Sequence, residues 1–349
     1  MKGPQQSLLA LTPAQAEARF VELGGRAFHA RAARKELLTR GVLDYAEMTS
    51  LPAPLRERLV EELPLLAGEE VDRSSSADGT EKLLIRFAAR EGRDENEAMV
   101  ETVFMPSLKP DRGATLCVST QVGCPVGCPF CASGLFGLTR NLKAHEILEQ
   151  YLRGRALGPL RRSVVMGIGE PLLNYSELKP ALDAVHDEMG IGKRKITVST
   201  VGFPDRLAKI ARSKPRFELA ISLHSAEDEL RGELVPAMKD IPVETVLLAG
   251  DDWFTVTGRE ITYEYVLLGG VNDGFSQAIH LAERLGGRRC SVNLIPFNSV
   301  SESPFERPDQ QRVDDFQTAL AERGIVATVR WSRGASSDAA CGQLRVRNA

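Results

Sequence analysis

The stretch Cys124-Pro125-Val126-Gly127-Cys128-Pro129-Phe130-Cys131 packs three cysteines into eight residues with the spacing C-x3-C-x2-C. Three thiolates this close in sequence can converge on one metal centre and leave a further position on it open. Soft thiolate sets select zinc or iron–sulfur. A structural zinc site asks for four closed ligands, commonly two C-x2-C knuckles separated by a longer loop. No second knuckle occurs in this chain. A four-iron cluster held by three cysteines keeps one iron free to bind something else. The competing readings are a zinc site and a redox dithiol.

The order and the gaps of these cysteines resemble the signature of the radical S-adenosylmethionine (SAM) enzymes. That resemblance implies a [4Fe–4S] cluster on Cys124, Cys128 and Cys131, with the free iron chelating the amino and carboxylate groups of SAM. An electron from the cluster then cleaves SAM to methionine and a 5′-deoxyadenosyl radical.

The surrounding chain has 349 residues, 43% hydrophobic and 26% charged, the balance of an ordinary soluble protein with one large domain or two. Its net charge of −3 gives no global nucleic-acid signature, so RNA binding must come from local patches. Met1 to Phe20 holds no long apolar core or small-residue cleavage site, and no run approaches bilayer-spanning length. A cytoplasmic protein is expected. Six cysteines there point to metal or catalysis rather than a disulfide framework. Four of them, Cys117, Cys124, Cys128 and Cys131, fall within fifteen residues, while Cys290 and Cys341 are remote.

The first hundred residues read mostly as helix. Thr12-Pro13 predicts an N-cap with proline at the first helical position, and Gly24-Gly25 ends that helix. Further helices are expected from Ala27 to Thr39 and from Pro54 to Leu66, a turn over Arg73–Gly79, and paired strands at Lys82–Ala88 and Met99–Met105. Residues 1–95 are taken as a small accessory domain, a candidate RNA-binding unit, and 96–349 as the catalytic domain.

From Leu116 onward strands and helices alternate. Expected strands are Leu116–Thr120, Ser163–Met166, Lys195–Ser199, Phe217–Ser222, Glu260–Leu267, Cys290–Ile295 and Ile325–Trp331. Helices include Ala144–Ala156, Ser176–Glu188, Asp205–Ala211, Phe275–Leu285 and Pro308–Arg323. Repeated βα units imply a parallel sheet, and the count predicts an α/β partial (β/α) barrel. The chemically suggestive residues lie just after strands: the cysteine loop, Gly167-Ile168-Gly169-Glu170-Pro171, Ser199, Ser222-Leu223-His224, Asn298 and Cys341. In a parallel barrel these positions meet at the carboxyl-terminal mouth.

The glycine loop lacks the third glycine of a dinucleotide fingerprint, and Pro171 interrupts the helix start. By itself it reads as a βα turn. Cys341, eight residues from the end of the sequence, reads by spacing alone as a tail thiol. Cys117 reads as a strand residue with a structural role, and Cys290 as core.

The motifs Cys117–Cys124, Arg140-Asn141-Leu142, Val164–Asn174, Thr197–Ser199, Ile221–His224, Val271–Asp273, Val292–Asn298 and Asp338–Leu344 together resemble the RlmN/Cfr family of radical SAM RNA methyltransferases. The match covers roughly Glu101 to Leu344. Position by position it implies that Gly169, Glu170, Ser199, Ser222, Leu223, His224 and Asn298 line the SAM site. It implies that Cys341 becomes S-methylated, that Cys117 is the resolving thiol which later forms a disulfide with it, and that Glu101 accepts the ring proton. The spacing from Glu101 to Cys117 is longer than the family's, through Lys109–Gly113. His224 reads equally well as a structural histidine.

The chemistry accounts for two lone thiols. An adenine amidine carbon is electrophilic and has no lone pair with which to attack a sulfonium, so polar methyl transfer fails. The resemblance implies C2 methylation of an adenosine in the 23S ribosomal RNA peptidyl-transferase loop, with transfer RNA as a second substrate. It also implies a monomer served by an electron donor such as flavodoxin or ferredoxin. The alternatives are Cfr-like C8 methylation, a divergent member with another RNA target, and a non-catalytic zinc-bound RNA-binding module. Candidate phosphate contacts are Arg153, Arg155, Arg161 and Arg162; Lys193-Arg194-Lys195; and Arg212, Lys214 and Arg216, each weighed against a plain solvated surface.

Overall fold

The computed structural model describes residues 6–88, 98–109, 112–300, 303–331, 333–334 and 338–344. Helix α1 (Pro13–Glu22) begins as the sequence predicts. The Thr12 hydroxyl accepts from Gln15 N at 3.3 Å, and Gln15 Oε1 accepts from Thr12 N at 3.0 Å, so two otherwise orphaned donors are satisfied reciprocally. Helix α2 (Ala27–Lys35) runs on through a π-helical turn, Glu36–Arg40, and closes at Gly41 with φ +75°. Helix α3 (Ala53–Glu62) turns Leu55 and Leu59 inward.

Three strands follow, β1 (Gly68–Ser75), β2 (Glu81–Phe87) and β3 (Ala98–Met105), paired antiparallel in that order. Strand β2 buries Leu83, Ile85 and Phe87 on alternate positions, as a half-buried strand should. Strand β1 corrects the sequence reading. Arg73–Ser75 continue the strand rather than open a turn, and the turn is Ser76–Thr80, closed by Ser76 N on Thr80 O at 2.8 Å. As an edge strand with mostly exposed side chains, β1 had no apolar alternation to reveal it.

The remaining elements are β4 (Ala114–Cys117), β5 (Gln121–Gly123), β6 (Leu138–Asn141), α4 (Ala144–Leu157), β7 (Leu160–Val165), α5 (Tyr175–Asp187), β8 (Ile196–Thr200), α6 (Pro204–Arg212), β9 (Glu218–Ser222), α7 (Asp228–Leu234), α8 (Val243–Thr257), β10 (Ile261–Leu267), α9 (Phe275–Leu285), β11 (Cys290–Pro296), α10 (Gln310–Ala321) and β12 (Ala327–Val329). The main sheet runs β1-β2-β3-β4-β7-β8-β9-β10-β11-β12, and β5-β6 form a separate hairpin. Every pairing from β4 to β12 is parallel. Strands β1 and β12 are the two edges, so the sheet stays open: a partial (β/α) barrel with an antiparallel extension.

The expected domain boundary at 95 lies outside the described residues. It falls between β2 and β3, which pair from Glu81↔Phe104 to Phe87↔Ala98. Among the described residues no helix is long and apolar enough to cross a membrane.

Candidate active site

The cysteine loop leaves the carboxyl end of β4. Val118 N donates to Val164 O and Gly167 N to Val118 O, each at 3.0 Å, which carries the parallel pairing of β4 and β7 into the loops beyond. Gly123 sits at φ +74°, and a Cβ there would lie 1.9 Å from Gly137 O. Only glycine allows that approach, which lets Cys124 N reach Gly137 O at 2.9 Å. Asn174, from the turn after Glu170, braces the loop by donating Nδ2 to Thr120 O and Leu142 O, both at 2.8 Å. Arg140 and Glu146 form a buried bidentate pair at 2.9 and 3.0 Å below it.

Cys124, Cys128 and Cys131 line one cleft of about 930 Å³ at the carboxyl ends of the strands, together with Gly169, Glu170, Ser199, Ser222, His224, Asn298 and Cys341. Leu223, Cys117 and Glu101 do not line it. Burial, then the neighbouring Cys131 and Glu170, pushes the Cys124 thiol up to about 12. Burial and the two neighbouring cysteines push Cys128 well up, and burial raises Cys131. Such crowded thiols suit a cationic partner, which would invert that preference. Three free thiols lining one cleft are the donor set that holds a four-iron cluster and leaves one iron open to a ligand.

The rest of the cleft is polar and already braced. Gly169 has φ +110°, and a Cβ there would meet Gln121 Cβ at 2.6 Å. Glu170 is buried, and its carboxylate accepts from Leu172 N (3.0 Å), Thr200 Oγ1 (2.6 Å) and Val201 N (3.0 Å). Burial raises its pKa against those donors. Ser199 Oγ lies 3.3 Å from Ser222 Oγ. His224 has φ +63°; its Nδ1 accepts from Val266 N at 3.2 Å, and its ring stands edge-on to Phe130 of the cysteine loop. Burial, then Arg231, lowers its pKa to about 3, so the ring is neutral near pH 7. Leu223 contributes backbone, donating N to Glu264 O at 2.9 Å. Asn298 donates Nδ2 to Cys341 O at 2.9 Å, while its buried Oδ1 has no partner. An orphaned acceptor in the cleft fits a polar ligand such as SAM.

Cys341 is solvent-exposed and lines the cleft, in a loop tied to the cysteine loop by Ala132 N on Gly342 O (2.8 Å) and Ser133 Oγ on Leu344 O (2.7 Å). Desolvation by the surrounding atoms, then Glu264, Cys117 and Cys131, raises its pKa. Cys117 shares a buried cluster with Val103, Ile168, Ala339 and Leu344, the last two from the loop that carries Cys341. Burial pushes its thiol up to about 12. All six cysteines are free thiols. Glu101 is buried on β3, where Lys82 Nζ reaches its Oε1 at 2.7 Å. The same Nζ donates to Asp338 O at 3.3 Å, linking Glu101 to the loop that carries Cys341.

Residues 118–285 match the Radical SAM superfamily. A protein of Parasynechococcus marenigrum (strain WH8102), described as a probable dual-specificity RNA methyltransferase RlmN, is 42% identical over 97% of this chain and 98% of its own length. One of Rhodopirellula baltica with the same description is 43% identical over 93% and 86%. The crystal structure of a radical SAM methyltransferase from Sphaerobacter thermophilus superposes with a TM-score of 0.87, at 41% identity over 97% and 99% of the two chains. The chain belongs to the RlmN family of radical SAM RNA methyltransferases. As in that superfamily, its cofactors are a [4Fe–4S] cluster and SAM.

Within this RlmN-family site two charged residues escaped sequence reasoning. Glu264, mid-strand in β10, lines the cleft and accepts from Ser199 Oγ at 2.6 Å; burial raises its pKa. Arg231 of α7 is fully buried. It donates Nε to Leu223 O (3.1 Å) and Nη2 to Val201 O (2.8 Å), while Nη1 has no partner. It therefore fastens the loops after β8 and β9 to each other. Burial lowers its pKa to about 10 against the opposing charge of Cys128. The sequence signal was weak in both cases: a glutamate in the otherwise apolar Tyr263–Leu267 run, and an arginine that looked like the polar side of a short helix.

Proposed function

We propose that this protein methylates C2 of an adenosine in the peptidyl-transferase loop of 23S ribosomal RNA, and a transfer RNA adenosine as second substrate, through an S-methylated Cys341. The observation that carries this reading is that one cleft is lined by the three cluster cysteines, the glycine loop and Cys341, with Cys117 packed beside the Cys341 loop. The two RNA classes are supported by the dual-specificity description of the relatives.

Cys124, Cys128 and Cys131 would hold the cluster, and Gly169, Glu170, Ser199, Ser222, Leu223, His224 and Asn298 would hold SAM. The bound pair supplies both a methyl group and a 5′-deoxyadenosyl radical. Cys341 sulfur takes the methyl and, after loss of one hydrogen from it, presents that carbon to the adenine ring. Asn298, through the Cys341 carbonyl, and Lys82, through that of Asp338, fix where the sulfur sits. Glu101 takes the ring proton, and the odd electron of the adduct would pass back to the bound cluster. Cys117 thiolate then attacks Cys341 sulfur. The disulfide forms as the sulfur–carbon bond breaks, the electron pair leaves with the methylene carbon, and that carbon takes a proton from solvent to become the product methyl; later reduction of the disulfide resets the site. Residues 1–95 serve as the accessory unit and 96–349 as the catalytic one, in a cytoplasmic monomer reduced by flavodoxin or ferredoxin.

The test uses anaerobic, cluster-loaded enzyme, methyl-deuterated SAM and nucleoside mass spectrometry of the treated RNA. The expected product is 2-methyladenosine retaining two of the three methyl deuteriums. Retention of all three would contradict hydrogen removal from the Cys341 methyl, and 8-methyladenosine would move the reading to the Cfr-like branch.

A further inference from the structure

The sequence offers three basic clusters, and the structure sorts them. Arg153 is consumed by Glu149 at 2.7 Å and Gly68 O at 2.6 Å. Arg155 donates to Leu38 O and Thr39 O at 2.8 and 2.7 Å. Arg216 is paired with Asp187 and Asp183. Lys193, Arg212 and Lys214 are exposed and have no side-chain partner among the described residues, but line neither of the cavities at the amino ends of β7 and β8. Arg161, Arg162, Arg194 and Lys195 differ in lining them. All four are exposed, and among the described residues their side chains have no hydrogen-bond or ion-pair partner.

These four residues sit at or just before the starts of β7 and β8, at the end of the barrel opposite the cysteines. Two cavities of about 1320 and 1370 Å³ meet there and share Arg162 and Lys195. The lumen-side cavity also carries Glu218 and Glu260. The outer one is lined by Arg112, Arg155, Arg161, Arg162 and Lys195 with no carboxylate. In a chain of net charge −3, that grouping is a local concentration and not a background.

The stem of Arg161 is seated. A Cβ on Gly113 would come within 2.2 Å of Arg161 Cγ, so the side chain lies against bare backbone while its guanidinium stays free. A packed stem loses less freedom when its head is engaged. Cations spread over two strand starts suit a polyanion whose charges are also spread. A small anion would need donors converging on one point.

We propose that this end of the barrel is a second RNA contact, a phosphate trough built on Arg161, Arg162, Arg194 and Lys195; it rests on the RNA reading above. Strand β7 has six residues, so trough and catalytic cleft lie roughly 20 Å apart. A folded RNA with its target base in the cleft spans that distance along the barrel wall. Guanidinium forks match phosphate geometry, and each engaged phosphate adds to the salt dependence of binding.

The experiment compares cluster-loaded wild type with the variant Arg161→Gln/Arg162→Gln/Arg194→Gln/Lys195→Gln on a transcript containing the peptidyl-transferase loop. Kd is measured across a salt series, and 5′-deoxyadenosine formation without RNA checks the distant site. The expected result is a Kd at least about tenfold weaker near 0.1 M salt and a log–log salt slope shallower by roughly 2–3, with deoxyadenosine formation unchanged. Wild-type Kd and slope in the variant would overturn the proposal. So would an equal loss from Lys179→Gln/Lys209→Gln/Arg284→Gln/Arg312→Gln, which removes as many exposed cations from the outer helices α5, α6, α9 and α10. If the fourfold variant loses its deoxyadenosine activity, Arg161→Gln/Arg194→Gln carries the same slope test. A wild type that neither binds nor methylates RNA overturns the functional reading itself, whereas methylation with an unchanged slope overturns the trough alone.

Discussion

The two ends of the barrel are built from the same parallel strands and have opposite character. At the carboxyl end charged and polar groups are buried and fastened to the chain: Glu170 by three donors, His224 by Val266 N, Arg231 by two carbonyls. At the amino end Arg161, Arg162, Arg194 and Lys195 stand in solvent with their heads free. Fixed groups set a geometry, as radical chemistry needs. Free cations keep their hydration and counterions until a polyanion replaces them. Changes at the first end should therefore act on chemistry and folding, and changes at the second on RNA affinity.

The largest effect is expected from Cys128→Ala, which removes a cluster ligand. Formation of 5′-deoxyadenosine by the reduced protein should vanish while circular dichroism stays native, and a wild-type rate would exclude these cysteines as the cluster site. Next comes Cys117→Ala. It should let Cys341 accept a methyl and attack RNA but block release, giving a slow, nuclease-sensitive band on a denaturing gel. Cys341→Ala should give no such band, and normal turnover by Cys117→Ala would leave that thiol a purely structural part.

Gly169→Ala should act locally. Its backbone sits at φ +110° and the new methyl would press on Gln121 and Thr120, a strain of about 1–3 kcal/mol. SAM affinity by titration calorimetry should fall roughly tenfold, and unaltered affinity would mean the loop relaxes freely. His224 gives the carboxyl end a pH signature. Its folded pKa is lowered to about 3 by burial and Arg231, against about 6.5 unfolded. Above 6.5 both states are neutral and nothing is lost. As pH falls from 6.5 towards 3 the unfolded chain binds a proton that the folded one refuses, so stability drops. Between pH 7 and 5 this group should cost about 2 kcal/mol in urea unfolding, and His224→Asn should flatten that slope. The smallest effect belongs to the other end. Arg162→Gln alone should weaken RNA binding only a few-fold and leave SAM cleavage untouched; loss of cleavage would erase the distinction between the ends.

The sequence made the carboxyl end legible where chemistry is written locally. The cysteine spacing, the glycine loop and the strand-end position of Ser199, Ser222 and Asn298 all led to the cleft. Helix α9 has the predicted limits because its apolar stripe is continuous from Phe275 to Leu285. What depended on distant partners stayed hidden. Arg231 looks like a solvated helix residue until Val201 and Leu223 close over it, and Glu264 gains meaning only beside Ser199. Asn272 sat in a recognised motif, yet its role is to hold the left-handed His224 by donating to His224 O at 2.8 Å. Cys117 and Cys341 could be paired only by resemblance, since no local pattern links a strand residue to a loop more than two hundred positions later. At the amino end the sequence counted the cations but could not tell the engaged from the free.

Because β1 and β12 do not pair, the barrel wall has a seam, and the loop carrying Cys341 runs along it. On one side Arg333 grips Asp78 in the β1–β2 turn at 3.1 Å and Gly334 N reaches the same carboxylate at 3.3 Å; on the other, Gln343 holds Ser299 O at 2.9 Å. A wall stitched by side chains parts more cheaply than one joined by a strand ladder. The sulfur proposed to be bonded to RNA mid-reaction thus rides on a stretch fastened at both sides by side chains rather than by a strand ladder, like a clasp set into the wall of the vessel.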